Sequence, residues 1–201
     1  LINYVEATVL SLLLMLVLTG FVFVGEPFIC AWGGEEYGAA YWIALLLIAP
    51  VTVPLIQNIG IEIQRAKNMH QFRSKVYFCM AIGNALVSIP LGMKFGGIGC
   101  ALGTAISMVV GNGFIMNWYY QTHIGLDMRY FWKHILSIVP AMLPAVALGI
   151  IAVRLHTFTG YAGVVTFAVP YAAVYAVGLY LFAMDESEKN MVRGVMRKIR
   201  R

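Results

Sequence analysis

The sequence predicts an all-α, polytopic membrane protein with six transmembrane helices. Three observations predict it. Apolar residues make up 61% of the chain and charged residues only 11%, where a soluble domain averages about 25% charged. The apolar residues gather into six runs of about the length a bilayer requires. The connections between those runs alternate between basic and poorly basic. A chain this poor in charge cannot cover a water-facing surface, so its solvent is mostly lipid.

A hydrocarbon core of about 30 Å takes roughly 20 apolar residues in a helix. The expected spans are Ala7–Val24, Ala39–Ile61, Val76–Met93, Ile98–Tyr120, Ile135–Val153 and Tyr161–Met184. In lipid each backbone amide needs an internal partner, and these runs far exceed a barrel strand, so helices are the sensible reading. The first run has full span length and lacks a basic leader or a small-residue cleavage site, so it reads as a span and not as a signal peptide. The chain begins at Leu1, a few residues before that span. That start suggests a piece of a longer protein, and processing could produce the same start.

Charge placement orients the spans. The segment Gly25–Gly38 holds Glu26, Glu35 and Glu36 and no Lys or Arg, while Glu62–Lys75 carries Arg65, Lys67, Arg73 and Lys75. The turn Lys94–Gly97 holds Lys94, Gln121–His134 holds Arg129 and Lys133, and Arg154–Gly160 holds Arg154. The tail, residues 185–201, adds six more basic residues. Alternate sides therefore carry twelve basic residues against two. The positive-inside rule places the twelve, and both termini, in the cytoplasm. The tail reads as a basic anchor touching anionic lipid. Around Leu126–His134, Tyr130, Phe131 and Trp132 interleave with Arg129 and Lys133, which suits a short helix in the headgroup layer or a plain loop.

No catalytic constellation appears. His70, His123, His134 and His156 are scattered, no carboxylates pair at useful spacing, and no phosphate-binding glycine loop or metal motif is present. The reading is therefore not an enzyme, with no metal, no cofactor and no nucleic-acid partner. Cys30, Cys79 and Cys100 lack metal-ligand spacing, and the two inside spans read as buried free thiols. No span carries Asp, Glu, Lys or Arg in its central portion. Neutral polar residues do occur at depth: Gln57 and Asn58 after Pro50 and Pro54, Asn84 and Ser88 before Pro90, then Thr104, Ser107, Asn112 and Asn117. They serve interhelical hydrogen bonds or line a hydrated cavity. The prolines are expected to bend the second and third spans.

Small residues recur through Gly99, Gly103, Ser107 and Gly111, one per helical turn, so one face of the fourth span can approach a neighbour closely. The short turn Lys94–Gly97 makes the third and fourth spans an antiparallel hairpin. At the basic mouth between the second and third spans, Arg65, Arg73 and Lys75 are the candidate anion-binding residues, since arginine pairs with phosphate through its planar fork. Topology alone would also explain them. Asn58, Asn84 and Asn112 complete the candidate substrate-binding set.

The stretch Ile82-Gly-Asn-Ala-Leu-Val-Ser-Ile-Pro90, followed by Phe95-Gly-Gly-Ile-Gly-Cys-Ala-Leu-Gly-Thr-Ala-Ile-Ser107, resembles a signature of polysaccharide-repeat flippases. These are the Wzx-like members of the superfamily that also holds multidrug MATE exporters and lipid II flippases. Gly33-Gly34-Glu35-Glu36-Tyr37 after Pro27-Phe28-Ile29 is similar to that family, as are Asn112-Gly113 through Tyr119-Tyr120, Ile124-Gly125-Leu126-Asp127 and Phe131-Trp132. The resemblance covers about Val24 to His134.

The resemblance implies a two-lobe, MATE-like transporter whose central cavity opens alternately to each side. This chain would supply the last six helices, the first four completing the second lobe and the last two appended. The missing N-terminal helices of the same protein would be its partners, with membrane lipids around both. It implies a substrate, undecaprenyl-pyrophosphate-linked oligosaccharide for polysaccharide biosynthesis, flipped to the outer leaflet of the bacterial cytoplasmic membrane. Cavity arginines and lysines of the family are thought to hold the pyrophosphate, and Arg65 and Arg73 are assigned from location only. A MATE-type drug or metabolite exporter and a non-transporting membrane scaffold are the alternatives.

Overall fold

The computed structural model describes the backbone of residues 2–155 and 158–182. The basic tail, the end of the sixth expected span and His156 lie outside the described residues. All seven prolines of the chain fall inside helices, at Pro27, Pro50, Pro54, Pro90, Pro140, Pro144 and Pro170. Each removes a ladder hydrogen bond, a loss that bundled membrane helices tolerate because neighbouring groups satisfy the freed carbonyls.

Helix α1 spans Ile2–Gly33, and one 3₁₀ turn, Glu35–Tyr37, leads into α2, Ala40–Ile56. Helix α3 (Asn58–Ala66) follows after a single residue, at an angle of 44° to α2. Next comes α4, His70–Met108, continued by a π-helical segment Val109–Met116, the single turn α5 (Asn117–Tyr119) and a second π-helical segment Tyr120–Ile124. Helices α6 (Met128–Leu155) and α7 (Gly160–Phe182) complete the described chain, and no strand occurs among the described residues.

Four helical stretches are long and apolar enough to cross a membrane, or five if the bent pair α2–α3 counts as one span. One of them runs 55 residues, from His70 to Ile124. Straight, it would extend about 80 Å at 1.5 Å per residue. It folds back at Gly96, whose φ of 61° and ψ of −140° break the helix. The fold-back makes an antiparallel hairpin of residues 70–95 and 97–124. A Cβ at Gly99 would meet the Leu91 carbonyl, one at Gly103 would meet Ser88, and one at Gly111 would meet the Met80 side chain. The small-residue stripe therefore does what its spacing predicts: it lets the two arms touch backbone to backbone.

Packing joins α6 to α7, α7 to α1, α1 to α2, and α2 to the hairpin. Phe23 of α1 lies between Phe167 and Tyr171 of α7, with ring centroids 5.9 and 5.7 Å away. The buried Tyr175 hydroxyl donates to the Leu12 carbonyl at 2.8 Å, and the Tyr41 hydroxyl to that of Val22 at 2.9 Å. These bonds satisfy tyrosine hydroxyls within an apolar bundle, where an unmet polar group is costly.

The outer surface confirms the class. Phe78, Ile82, Leu86, Ile89 and Met93 form one stripe along the first arm, every member exposed. Such a continuous apolar face suits lipid and not water. Exposed Trp32, Tyr37 and Trp42 gather at one end, Trp118 and Tyr130 at the other, the placement of interfacial aromatic belts.

Several expected boundaries are corrected. Helix α1 continues through Pro27 to Gly33. The second span breaks at Gln57, three residues past Pro54, the later of its expected bend-forming prolines, whereas Pro90 produces no break and only Gly96 is non-helical inside α4. The expected loop Glu62–Lys75 is mostly helix: it comprises the end of α3, a turn at residues 67–69 and the start of α4. The headgroup helix expected around residues 126–134 is the continuous beginning of α6. Cys79 and Cys100 are exposed on the hairpin and not buried.

Candidate functional site at the basic end

The corner between α3 and α4 packs on the corner between the second π-helical segment and α6. Gly125 takes the left-handed conformation (φ 78°) after Ile124, and the Leu126 amide bonds back to the Tyr120 carbonyl at 3.0 Å. The Gly125 amide bonds to the same carbonyl, so the π-helical segment ends on a left-handed glycine stop one residue wider than the α-helical kind. Asp127 then opens α6, its Oδ1 accepting from the Arg129 and Tyr130 amides at 3.0 Å each. From the other corner, Lys67 Nζ donates to the Ile124 carbonyl at 2.8 Å. Phe72 stacks on Tyr119 with centroids 4.0 Å apart, and Tyr119 on His123 at 4.9 Å. Arg65, Lys67, Arg73, Lys75, Arg129 and Lys133 are thereby drawn to one end of the molecule.

The candidate residues do not form one cluster. Arg65 is exposed and its Nη1 pairs with Glu62 at 2.9 Å, the one ion pair among the described residues. Lys75 and Asn58 are exposed on α4 and α3. Asn84 sits mid-hairpin, its Oδ1 accepting from Ser88 at 2.7 Å and Thr104 at 3.3 Å. That role is interhelical bonding. Arg73 and Asn112 are brought together. Arg73 Nη2 donates to the Tyr77 hydroxyl at 2.9 Å, and that hydroxyl donates to Asn112 Oδ1 at 2.9 Å. The guanidinium carbon also lies 4.9 Å from the Tyr77 ring centroid, within cation–π range. Asn112 is only 3% exposed.

A second polar hub lies beside this relay. Asn117 Oδ1 accepts from Gln57 Nε2 at 2.8 Å and Trp132 Nε1 at 3.0 Å, and its Nδ2 donates to the Gly113 carbonyl. Tyr77 was not among the residues picked out by sequence. The signal that could have found it is the glycine stripe: with Gly103 facing Ser88 and Gly111 facing Met80, continuing the register brings Asn112 to the level of Tyr77.

Fold and site together define a multi-pass, all-helical membrane protein with a basic, aromatic-lined end. Compared with protein-family models, curated proteins and solved structures, the chain matches none of them.

Proposed function

We propose that the chain is the C-terminal part of a transporter that flips undecaprenyl-pyrophosphate-linked oligosaccharide units across the bacterial cytoplasmic membrane. One observation carries the reading: Arg73, at the basic end, is held by a neutral tyrosine and meets no carboxylate within ion-pair range among the described residues. An arginine held this way keeps its charge available for phosphate. In this reading the two hairpin arms are separate crossings, which makes six, and the basic end with both termini is cytoplasmic. The MATE-like lobes are completed by helices outside this chain. The role is transport and not catalysis.

Deleting the whole gene tests it. Lipid-linked repeat units should then accumulate on the cytoplasmic leaflet. Normal delivery to the outer leaflet, in cells with no redundant transporter, would refute the proposal.

A further inference from the structure

We propose that Tyr77 and Asn112 are positioning residues: they hold the Arg73 guanidinium so that its open N–H edge meets the phosphate oxygens of a lipid-borne pyrophosphate headgroup. The inference rests on the flippase reading above and deepens it.

The direction of the relay follows from valence. Arginine has donors and no acceptor, so the Tyr77 oxygen must accept from Nη2, and its single proton goes to Asn112 Oδ1. Each bond polarises the next, and the first is charge-assisted. A long side chain with many rotamers is thus fixed at two points, the hydroxyl and the face of the ring.

The far end of the relay is firmly placed. Asn112 is buried in the π-helical segment between Gly111 and Gly113, and Gly111 lets the second arm close on Met80 of the first. π-helical turns recur at functional sites because they re-aim the side chains they carry. No member of the relay is anionic. Arg73 therefore differs from Arg65, whose charge Glu62 answers directly. The source of the anion follows from the surroundings: the same arm carries the exposed apolar stripe from Phe78 to Met93, a surface that suits a prenyl chain better than a free phosphate does.

The experiment measures binding of radiolabelled geranylgeranyl pyrophosphate to the purified full-length protein in detergent. Tyr77→Phe keeps the ring and breaks the relay, and affinity should fall about three- to tenfold. Tyr77→Phe leaves Asn112 unmet, so the double variant Tyr77→Phe/Asn112→Leu, apolar at both positions, serves as the folding-neutral form and should show the same fall at near wild-type thermal stability. Adding Tyr77→Phe to Arg73→Gln should weaken binding no further than Arg73→Gln alone, a coupling that a merely structural role would not produce. Wild-type affinity in the double variant, with Arg73→Gln still impaired, overturns the positioning role and leaves the flippase reading intact. Wild-type affinity in Arg73→Gln overturns both. Inorganic pyrophosphate competing as well as the prenyl compound overturns the lipid-borne assignment.

Discussion

The side-chain amide of Gln57 donates to Asn117 Oδ1 at 2.8 Å, joining the break between α2 and α3 to the single α-turn between two π-helical segments. Trp132 near the start of α6 donates to the same oxygen at 3.0 Å. The break between α2 and α3, the turn between the π-helical segments and the beginning of α6 thus meet at one acceptor. Gln57 is 2% exposed, so its amide has no water to turn to. Replacing Asn117 by Leu leaves two donors unmet, at about 1–3 kcal/mol for each that stays buried. We expect Asn117→Leu to lower stability by about 2 kcal/mol or more in SDS-titration unfolding, and Trp132→Phe to cost less. Equal, small effects from both variants would show that the hub is not what holds the break.

The hairpin depends on two glycines more than on its apolar residues. Cβ atoms at Gly99 and Gly103 would collide with the backbone of Leu91 and Ser88, whereas one at Gly83 would meet nothing within 4 Å. Overpacking of this kind costs about 1–3 kcal/mol. Alanine in place of glycine inside a helix otherwise gains up to about 1 kcal/mol. Gly99→Ala and Gly103→Ala should therefore destabilise the protein while Gly83→Ala is neutral or stabilising, read by the same unfolding titration. Loss of stability in Gly83→Ala equal to that in Gly103→Ala would contradict the observed register.

How much of this was legible in the sequence depends on what hydropathy measures. It marks residues that lie in lipid, so it located the helical runs and, through the short turn at Lys94–Gly97, the fold-back at Gly96. It does not measure helicity. The polar run from Glu62 to Lys75 is helical at both ends, yet its Glu62, Gln64 and Arg65 read as loop because they leave the apolar layer. Pro54 announced a bend in α2, but the break falls at Gln57, where the side chain finds Asn117 sixty residues away. Asn112 and Arg73 were visible as polar residues. Their connection through Tyr77 depends on the register between two arms, which hydropathy does not measure and which only the glycine stripe of the second arm hints at.

Arg65 and Arg73 looked equivalent in the sequence, and the structure separates them. Arg65 is exposed and paired with Glu62, while Arg73 is half-buried and bound to Tyr77. Under the flippase reading, Arg73→Gln in the whole protein should reduce flipping about tenfold or more, the scale of one lost charge-assisted contact. Arg65→Gln should leave flipping near wild type. The amount of repeat unit reaching the outer leaflet measures both. A larger defect from Arg65→Gln than from Arg73→Gln would reverse the assignment.

Orientation is the remaining prediction, and it follows from charge. Arg65, Lys67, Arg73, Lys75, Arg129 and Lys133 share one end, while Glu26, Glu35 and Glu36 lie toward the other. The acidic end also carries Lys94 and Arg154, too few to compete with the basic end under the positive-inside rule. Tyr37 and Lys75 are both exposed and lie at opposite ends, which makes them suitable reporters. Cys30, Cys79 and Cys100 must first be replaced by Ala, because Cys79 and Cys100 are exposed on the hairpin surface. In intact spheroplasts a membrane-impermeant maleimide should then label Tyr37→Cys and spare Lys75→Cys. Opening the membrane should expose Lys75→Cys to the reagent. Labelling of Lys75→Cys from outside, with Tyr37→Cys protected, would invert the topology and, under the flippase reading, place Arg73 on the leaflet where the cargo arrives and not where it is loaded.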